Sequence, residues 1–143
     1  MTPHDACYRG FAVDDNSTYE ISREQLDFVR EAVRDGTPSI VVVHIPLYTP
    51  GRPMGYGCGH PRWSAATDRN YRIEQRPRWP ETGPSESTFA FHRDVFSAPN
   101  VIAIFAGHTH LATVDVLNRT PQFVTPANAH GEYLDVTVEP TSE

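Results

Sequence analysis

The sequence predicts an α/β fold, because short apolar runs typical of buried strands alternate with helical patterns. The two clearest strands cover residues 39–44 and 101–106, and each is rich in β-branched or apolar residues without a polar interruption. Such runs are typical of strands that are covered on both faces, as in parallel sheets. A length of 143 residues suits one domain, which we expect to span residues 1–143.

The first half of the chain predicts a strand–helix–strand unit. Residues 8–13 form the first strand, and Ser22 then begins a helix in which Gln25, three positions later, completes a capping box. Gly36 ends this helix and the strand at 39–44 follows, so the two strands are expected to be parallel neighbours. The apolar stripe of the helix is expected to consist of Leu26, Val29 and Val33.

A long segment, about residues 49–84, interrupts this alternation. It is rich in proline, glycine and aromatic residues and carries half of the arginines, so we interpret it as an ordered insertion beside the functional site. Residues 85–96 then predict a second helix with Phe89 and Phe96 among its buried positions.

The last third of the chain is predicted to be rich in β-structure. Strands are expected at 113–117 and 122–124, with a turn at 118–119, and at 133–138, where apolar and polar residues alternate. The whole chain is therefore expected to fold as a mixed β-sheet with flanking helices.

Composition and charge limit the classes of partner. The formal net charge is -6 and the pI is about 5.6, which argues against non-specific binding to nucleic acid or to anionic membranes. Neither a run of the roughly 20 apolar residues that span a bilayer nor a signal-peptide profile occurs. We therefore expect a soluble chain and favour a cytoplasmic location.

Histidines stand at the ends of the two clearest strands, and they are the strongest functional signal. His44 ends the strand at 39–44, and His108 and His110 follow the strand at 101–106. Parallel strands end at the same edge of a sheet, and residues two apart in an extended segment face the same side. Because neutral imidazole binds zinc, iron and manganese, the three histidines are candidate metal ligands.

Other histidines carry weaker signals. His92 is expected on the surface of the second helix, with no part in the site. His60 and Arg62, in the insertion, are candidate contacts for a substrate phosphate, since guanidinium groups match phosphate oxygens.

The sequences Val-His-Ile-Pro-Leu at 43–47 and Gly-His-Thr-His at 107–110 resemble the calcineurin-like metallophosphoesterases. The resemblance implies an αββα sandwich of mixed sheets flanked by helices and a binuclear centre of divalent ions such as manganese, iron or zinc. By the same resemblance, His44 and His108 would bind one metal and His110 the other. The implied activity is hydrolysis of phosphomonoesters or phosphodiesters by a hydroxide that two metals activate.

The resemblance covers only the later half of the family's domain. The family's Asp-x-His, Gly-Asp and Asn-His blocks do not occur, and no counterpart of its general-acid histidine is identifiable, so no catalytic residue is assigned. Three imidazoles carry no negative charge to offset two dications. We therefore expect a partial domain that is nearly inactive by itself and that self-associates or requires a missing N-terminal half. The alternative is a non-catalytic, metal-poor half-domain that acts through oligomerisation or a partner chain.

Overall fold

The computed structural model describes residues 8–13, 20–51, 64, 66, 77–78, 81, 83–127, 129 and 131–139. Most of the predicted insertion at 49–84 lies outside these residues. The described part contains the following elements in chain order: β1 (Arg9–Val13), α1 (Arg23–Ala32), β2 (Ser39–Val43), α2 (Glu86–Ser97), β3 (Val101–Ala106), β4 (Thr113–Leu117) and β5 (Thr120–Val124). Neither of the two helices is both long and apolar enough to cross a membrane.

The strands form one mixed sheet in the order β1-β2-β3-β5-β4. β1, β2, β3 and β5 are parallel to their neighbours, and β4 runs antiparallel to β5 as the outer strand of a hairpin. The predicted α/β class with a mixed sheet is therefore confirmed. The β1–α1–β2 and β2–α2–β3 connections run in the same direction across the sheet. Because such crossovers are almost always right-handed, both helices lie on the same face of the sheet.

One apolar core lies between that face and the two helices. Val41 and Ile104, on the central strands, are fully buried against Leu26 of α1 and Phe91 of α2. The core therefore fixes β2 and β3, the two strands that precede the candidate histidines.

The start of α1 agrees with the sequence prediction. The Ser22 side chain accepts a hydrogen bond from the Gln25 backbone N–H, and the Gln25 side chain accepts one from the Ser22 N–H, so the capping box is complete. Regular helix ends at Ala32, and the following turn reaches Gly36 at a φ of 78°, a conformation that favours glycine.

The buried face of α2 differs from the predicted one. Phe96 is buried as expected, but Phe89 is only half-buried, so its assignment to the core was wrong. The helix faces the sheet with Thr88, Phe91 and Val95, which are spaced three and four residues apart and share one side. The periodicity admits more than one register, and tertiary packing selects this one.

The predicted turn at 118–119 is confirmed. Asn118 and Arg119 both have positive φ, 49° and 70°, as a two-residue type I′ hairpin turn requires. The turn joins β4 to β5, which begins two residues earlier than predicted, at Thr120.

The predicted strand at 133–138 was wrong, because residues 131–139 adopt no regular structure. This segment instead lies over the sheet face opposite the helices. There it lines a groove of about 440 Å³ together with Ile40, Phe105 and Phe123. An alternating sequence indicates that one side of a segment is apolar, but it does not supply the neighbouring strand that a ladder requires.

The sheet face opposite the helices, which we call the open face, is apolar and only partly covered. The register aligns Ala12, Val42, Phe105, Phe123 and Val114 across all five strands of the described sheet. Phe105 and Phe123 stack with their centroids 5.2 Å apart, whereas Val42 and Val114 are 42% and 63% exposed. Sheets with parallel strands are usually covered on both faces, so the open face is unusual.

Candidate metal centre

Two of the three candidate histidines meet at the carboxyl edge of the sheet. His44 directly follows β2, and His108 lies two residues beyond β3, the parallel neighbour of β2. Nε2 of His44 lies 3.1 Å from Nδ1 of His108, and the ring centroids are 5.1 Å apart at an interplanar angle of 76°. The fold therefore directs one nitrogen of each ring to a common point.

The backbone around His108 is held in an uncommon conformation. The Gly107 N–H donates to the His44 carbonyl at 3.0 Å, which joins the ends of β2 and β3. The Thr109 N–H then donates to the Gly107 carbonyl at 2.7 Å across His108, whose φ is 63°. A hydrogen bond from residue i+2 to residue i, with a positive φ at the central residue, defines the rarer form of γ-turn. Such strain, which costs of order 1–3 kcal/mol, concentrates at functional sites.

The sequence predicted an extended His-x-His pair, and that geometry was wrong. Residues 107–112 do not form a strand, and both His108 and His110 have positive φ. The flexibility expected of Gly107 is not used, because the left-handed conformations lie at the histidines themselves. Within the described ranges, no three His, Cys, Asp or Glu side chains gather closely enough to hold a metal ion, so the structure groups His44 with His108 but not with His110.

The His44–His108 pair fits a shared divalent ion. Two imidazole nitrogens that bind one zinc ion at about 2.0–2.1 Å lie about 3.0–3.4 Å apart for angles of about 95–110° at the ion. The observed 3.1 Å falls in this interval. The same distance also suits a hydrogen bond in which one ring N–H donates to the lone pair of the other ring. The donor set and spacing are thus compatible with a metal, and a metal-free hydrogen bond is the competing interpretation.

A buried hydroxyl lies between the two histidines of the Gly-His-Thr-His sequence. Thr109 Oγ1 is inaccessible to solvent and has no hydrogen-bond partner in the described part of the chain. Buried polar atoms without protein partners call for a specific explanation, such as a bound water or ion. Within the described residues, Thr109 Oγ1 is therefore an unsatisfied buried polar atom that adjoins both histidines in sequence.

The segment after His44 is anchored by a buried side chain that the sequence analysis missed. Gln122, at the centre of β5, is fully buried, and its Oε1 accepts from the Leu47 N–H at 2.7 Å. Its Nε2 donates to the Leu47 carbonyl at 3.0 Å. A glutamine between the apolar residues Pro121 and Phe123 is the signal that could have indicated this role, since buried amides require partners.

His92 anchors the same segment from the helical side, so its prediction as a surface residue was wrong. Its Nε2 donates to the Tyr48 carbonyl at 2.7 Å, and its ring lies between those of Tyr48 and Phe96. Burial lowers the pKa of His92, and the hydrogen bond to Tyr48 opposes that change in part. The sequence could not show this, because the partner lies 44 residues away.

There is space beside the histidine pair for a small ligand. A groove of about 420 Å³ lies at the strand ends, lined by apolar residues such as Ala12, Val42 and Phe105 and by His44 and Thr125. The Thr125 hydroxyl donates to the Ala106 carbonyl. Among the described residues that line this groove, His44 is the titratable one.

The two predicted phosphate contacts, His60 and Arg62, lie outside the described residues. No family model matches the chain, and no curated protein matches it.

Proposed function

We propose that His44 and His108 bind a divalent cation and that the chain forms part of a metal-dependent phosphoric ester hydrolase of the calcineurin-like type. The observation that carries this proposal is the 3.1 Å separation of the two ring nitrogens at the ends of adjacent parallel strands. The Gly-His-Thr-His and Val-His-Ile-Pro-Leu sequences, with their resemblance to metallophosphoesterases, supply the reaction class.

The chain's own residues would hold the cation and fix its approach. His44 would present the lone pair of Nε2 and His108 that of Nδ1, while the other nitrogen of each neutral ring keeps its proton. His110, exposed beyond the γ-turn, remains a candidate ligand for a second ion. A bound divalent cation supplies Lewis-acid polarisation of a phosphoryl oxygen and lowers the pKa of water. Imidazole suits manganese, iron and zinc and does not select among them.

Charge limits what the isolated chain can do. Two neutral imidazoles offset none of the charge of a dication, and a second dication at short range would be repelled strongly unless carboxylates lie between them. No carboxylate joins the two histidines in a metal-holding group within the described residues. We therefore propose that this chain by itself binds one cation weakly and hydrolyses phosphate esters poorly or not at all.

The test is a titration of the purified chain with Co²⁺ and Zn²⁺ by calorimetry and by the visible absorption of Co²⁺. The variants are His44→Ala, His108→Ala and His110→Ala. His4→Ala is the control, since it also removes one imidazole but from the start of the chain. Outer-shell partners of metal ligands are themselves worth about 10–100-fold in affinity, so loss of His44 or His108 should cost more than about tenfold.

The variants separate the possible results. We expect one equivalent of metal, lost with His44→Ala and with His108→Ala but retained with His4→Ala. Absence of metal binding in the unsubstituted chain would contradict the proposed site, and robust metal-dependent turnover of an aryl phosphate by the chain would contradict the proposed inactivity.

The open face favours a second candidate function, a non-catalytic module that self-associates. Its exposed valines, Val42 and Val114, lie in an apolar row that crosses the described sheet, and a second copy offers the same apolar surface. Sedimentation velocity over a range of concentrations tests this: Val114→Asp should shift the chain towards monomer. Phe28→Asp, which replaces an exposed aromatic residue on the helical side, should not. A monomer at every concentration before substitution would contradict self-association.

A further inference from the structure

We infer that Gln122 is a positioning residue for His44, which acts by fixing the loop that leaves β2; this inference rests on the proposed metal site. Gln122 is on β5, and its amide bonds the backbone of Leu47, which is three residues along the chain from the histidine that it positions. Its two hydrogen bonds are to the Leu47 backbone, and we infer that its effect on the His44 ring passes through that backbone.

The loop after His44 lies beyond the regular ladder of β2, and only Leu47 within it takes part in an isolated β-bridge. β2 ends at Val43, and Pro46 lacks the N–H that could continue a ladder. Gln122 holds the loop at this point, because its amide accepts from the Leu47 N–H and donates to the Leu47 carbonyl. Without that amide, two buried backbone groups would lose their partners, and the loop would have to move to satisfy them.

Three points along the loop are fixed in this way, and together they leave His44 little freedom. The His44 carbonyl accepts from the Gly107 N–H, Leu47 is held by Gln122, and the Tyr48 carbonyl accepts from His92. Side chains reinforce these bonds, since Ile45 and Leu47 are both buried in the core. The middle bond pair is the buried one, and it comes from a strand that contributes no candidate ligand.

A buried glutamine is a costly way to fill a core position unless both ends of its amide are used. A leucine or methionine of similar volume would fill the same position without that cost, but it would not bond the Leu47 backbone and so would not fix the position of the loop. The Gln122 side chain therefore contributes more by fixing the position of the loop that begins at His44 than by packing in the core.

The test compares Gln122→Met, which keeps the volume and removes both hydrogen bonds, with Thr88→Val. Thr88 is fully buried and accepts from the Ile21 N–H near the start of α2, so its substitution also removes a buried hydrogen bond but leaves the loop intact. Gln122→Asn, whose amide is one carbon closer to the backbone and so withdraws from Leu47, is the second variant in case Gln122→Met does not fold.

Two measurements are made on each variant. One is the Co²⁺ dissociation constant; the other is the ¹⁵N chemical shifts of the His44 and His108 rings in metal-free protein, which report their contact independently of any metal. We expect Gln122→Met to weaken Co²⁺ binding by about 10–100-fold, as outer-shell substitutions do, and Thr88→Val to change it by less than about twofold. We also expect the ring shifts to move towards those of free imidazole in Gln122→Met and not in Thr88→Val.

The outcomes distinguish this inference from the proposed function. If the unsubstituted chain binds no Co²⁺ but Gln122→Met still shifts both rings, the metal proposal fails and the positioning role stands. If the folded Gln122 variant leaves both the Co²⁺ affinity and the ring shifts unchanged, the positioning role is overturned. Equal losses in Gln122→Met and Thr88→Val would also overturn it, because they would indicate a general effect of stability.

Discussion

Substitution of two adjacent valines on β2 by alanine tests the asymmetry of the sheet. Val41 is 0% exposed on the helical face, whereas Val42 is 42% exposed on the open face. Both substitutions remove the same two methyl groups and the same β-propensity from the same strand. The difference between them therefore isolates how completely each face is covered.

The expected magnitudes follow from burial. At about 0.8 kcal/mol for each buried methyl group, plus the cost of the residual cavity, Val41→Ala should lower the free energy of unfolding by about 2–3 kcal/mol. Val42→Ala removes methyl groups that are already partly hydrated, so it should cost less than about 1 kcal/mol. Urea denaturation monitored by circular dichroism measures both values, and unchanged m-values would show that the unfolding transition is the same in each protein.

The concentration dependence gives the experiment a second use. If the chain is monomeric with an uncovered open face, the loss for Val42→Ala should be small at every protein concentration. A loss for Val42→Ala that equals the loss for Val41→Ala would refute the assignment of an open face. A loss that grows with concentration would instead indicate that a second copy covers that face, as in the self-associating alternative.

Three further predictions concern the helices and the loop. Ser22→Ala should lower the free energy of unfolding by about 1 kcal/mol in the same denaturation assay, because it removes the cap of α1. Burial lowers the pKa of His92 from 6.5, so its neutral form stabilises the fold at higher pH; thermal stability should fall as the pH drops below 6.5, and less so in His92→Phe. The pKa of Asp35 is lowered from 3.8 to about 2, chiefly by the hydrogen bond from the Thr37 backbone N–H and next by the one from Arg9. The ionised Asp35 should therefore stabilise the fold above pH 3.8, and this effect should disappear as the pH falls towards 2. An NMR titration of the carboxyl group measures this pKa.

The local features of the fold could be predicted from the sequence because their causes are local. The capping box at Ser22 depends on residues three positions apart, and the turn at Asn118 depends on two adjacent residues that tolerate positive φ. The uninterrupted apolar strands likewise indicated parallel neighbours. The strand predicted at 133–138 failed because alternation specifies a face and no partner, and that segment found an apolar surface in place of a ladder.

The candidate site could be predicted only in outline. Strand ends identified His44 and His108, and the structure places them in contact. The backbone at His108 and His110 could not be foreseen, because neither residue type indicates a positive φ, and the tertiary bond from the Gly107 N–H to the His44 carbonyl holds the start of this segment. Gln122 and His92 were missed for the same reason, since each acts on a loop that is distant in sequence.

The most direct test of the metal site is an anomalous-scattering map of crystals grown with Zn²⁺, recorded above and below the zinc absorption edge. We expect a difference peak within about 2.0–2.1 Å of both His44 Nε2 and His108 Nδ1. Crystals that show the two nitrogens in contact with no anomalous peak between them, at a zinc concentration that saturates binding in solution, would contradict the central proposal.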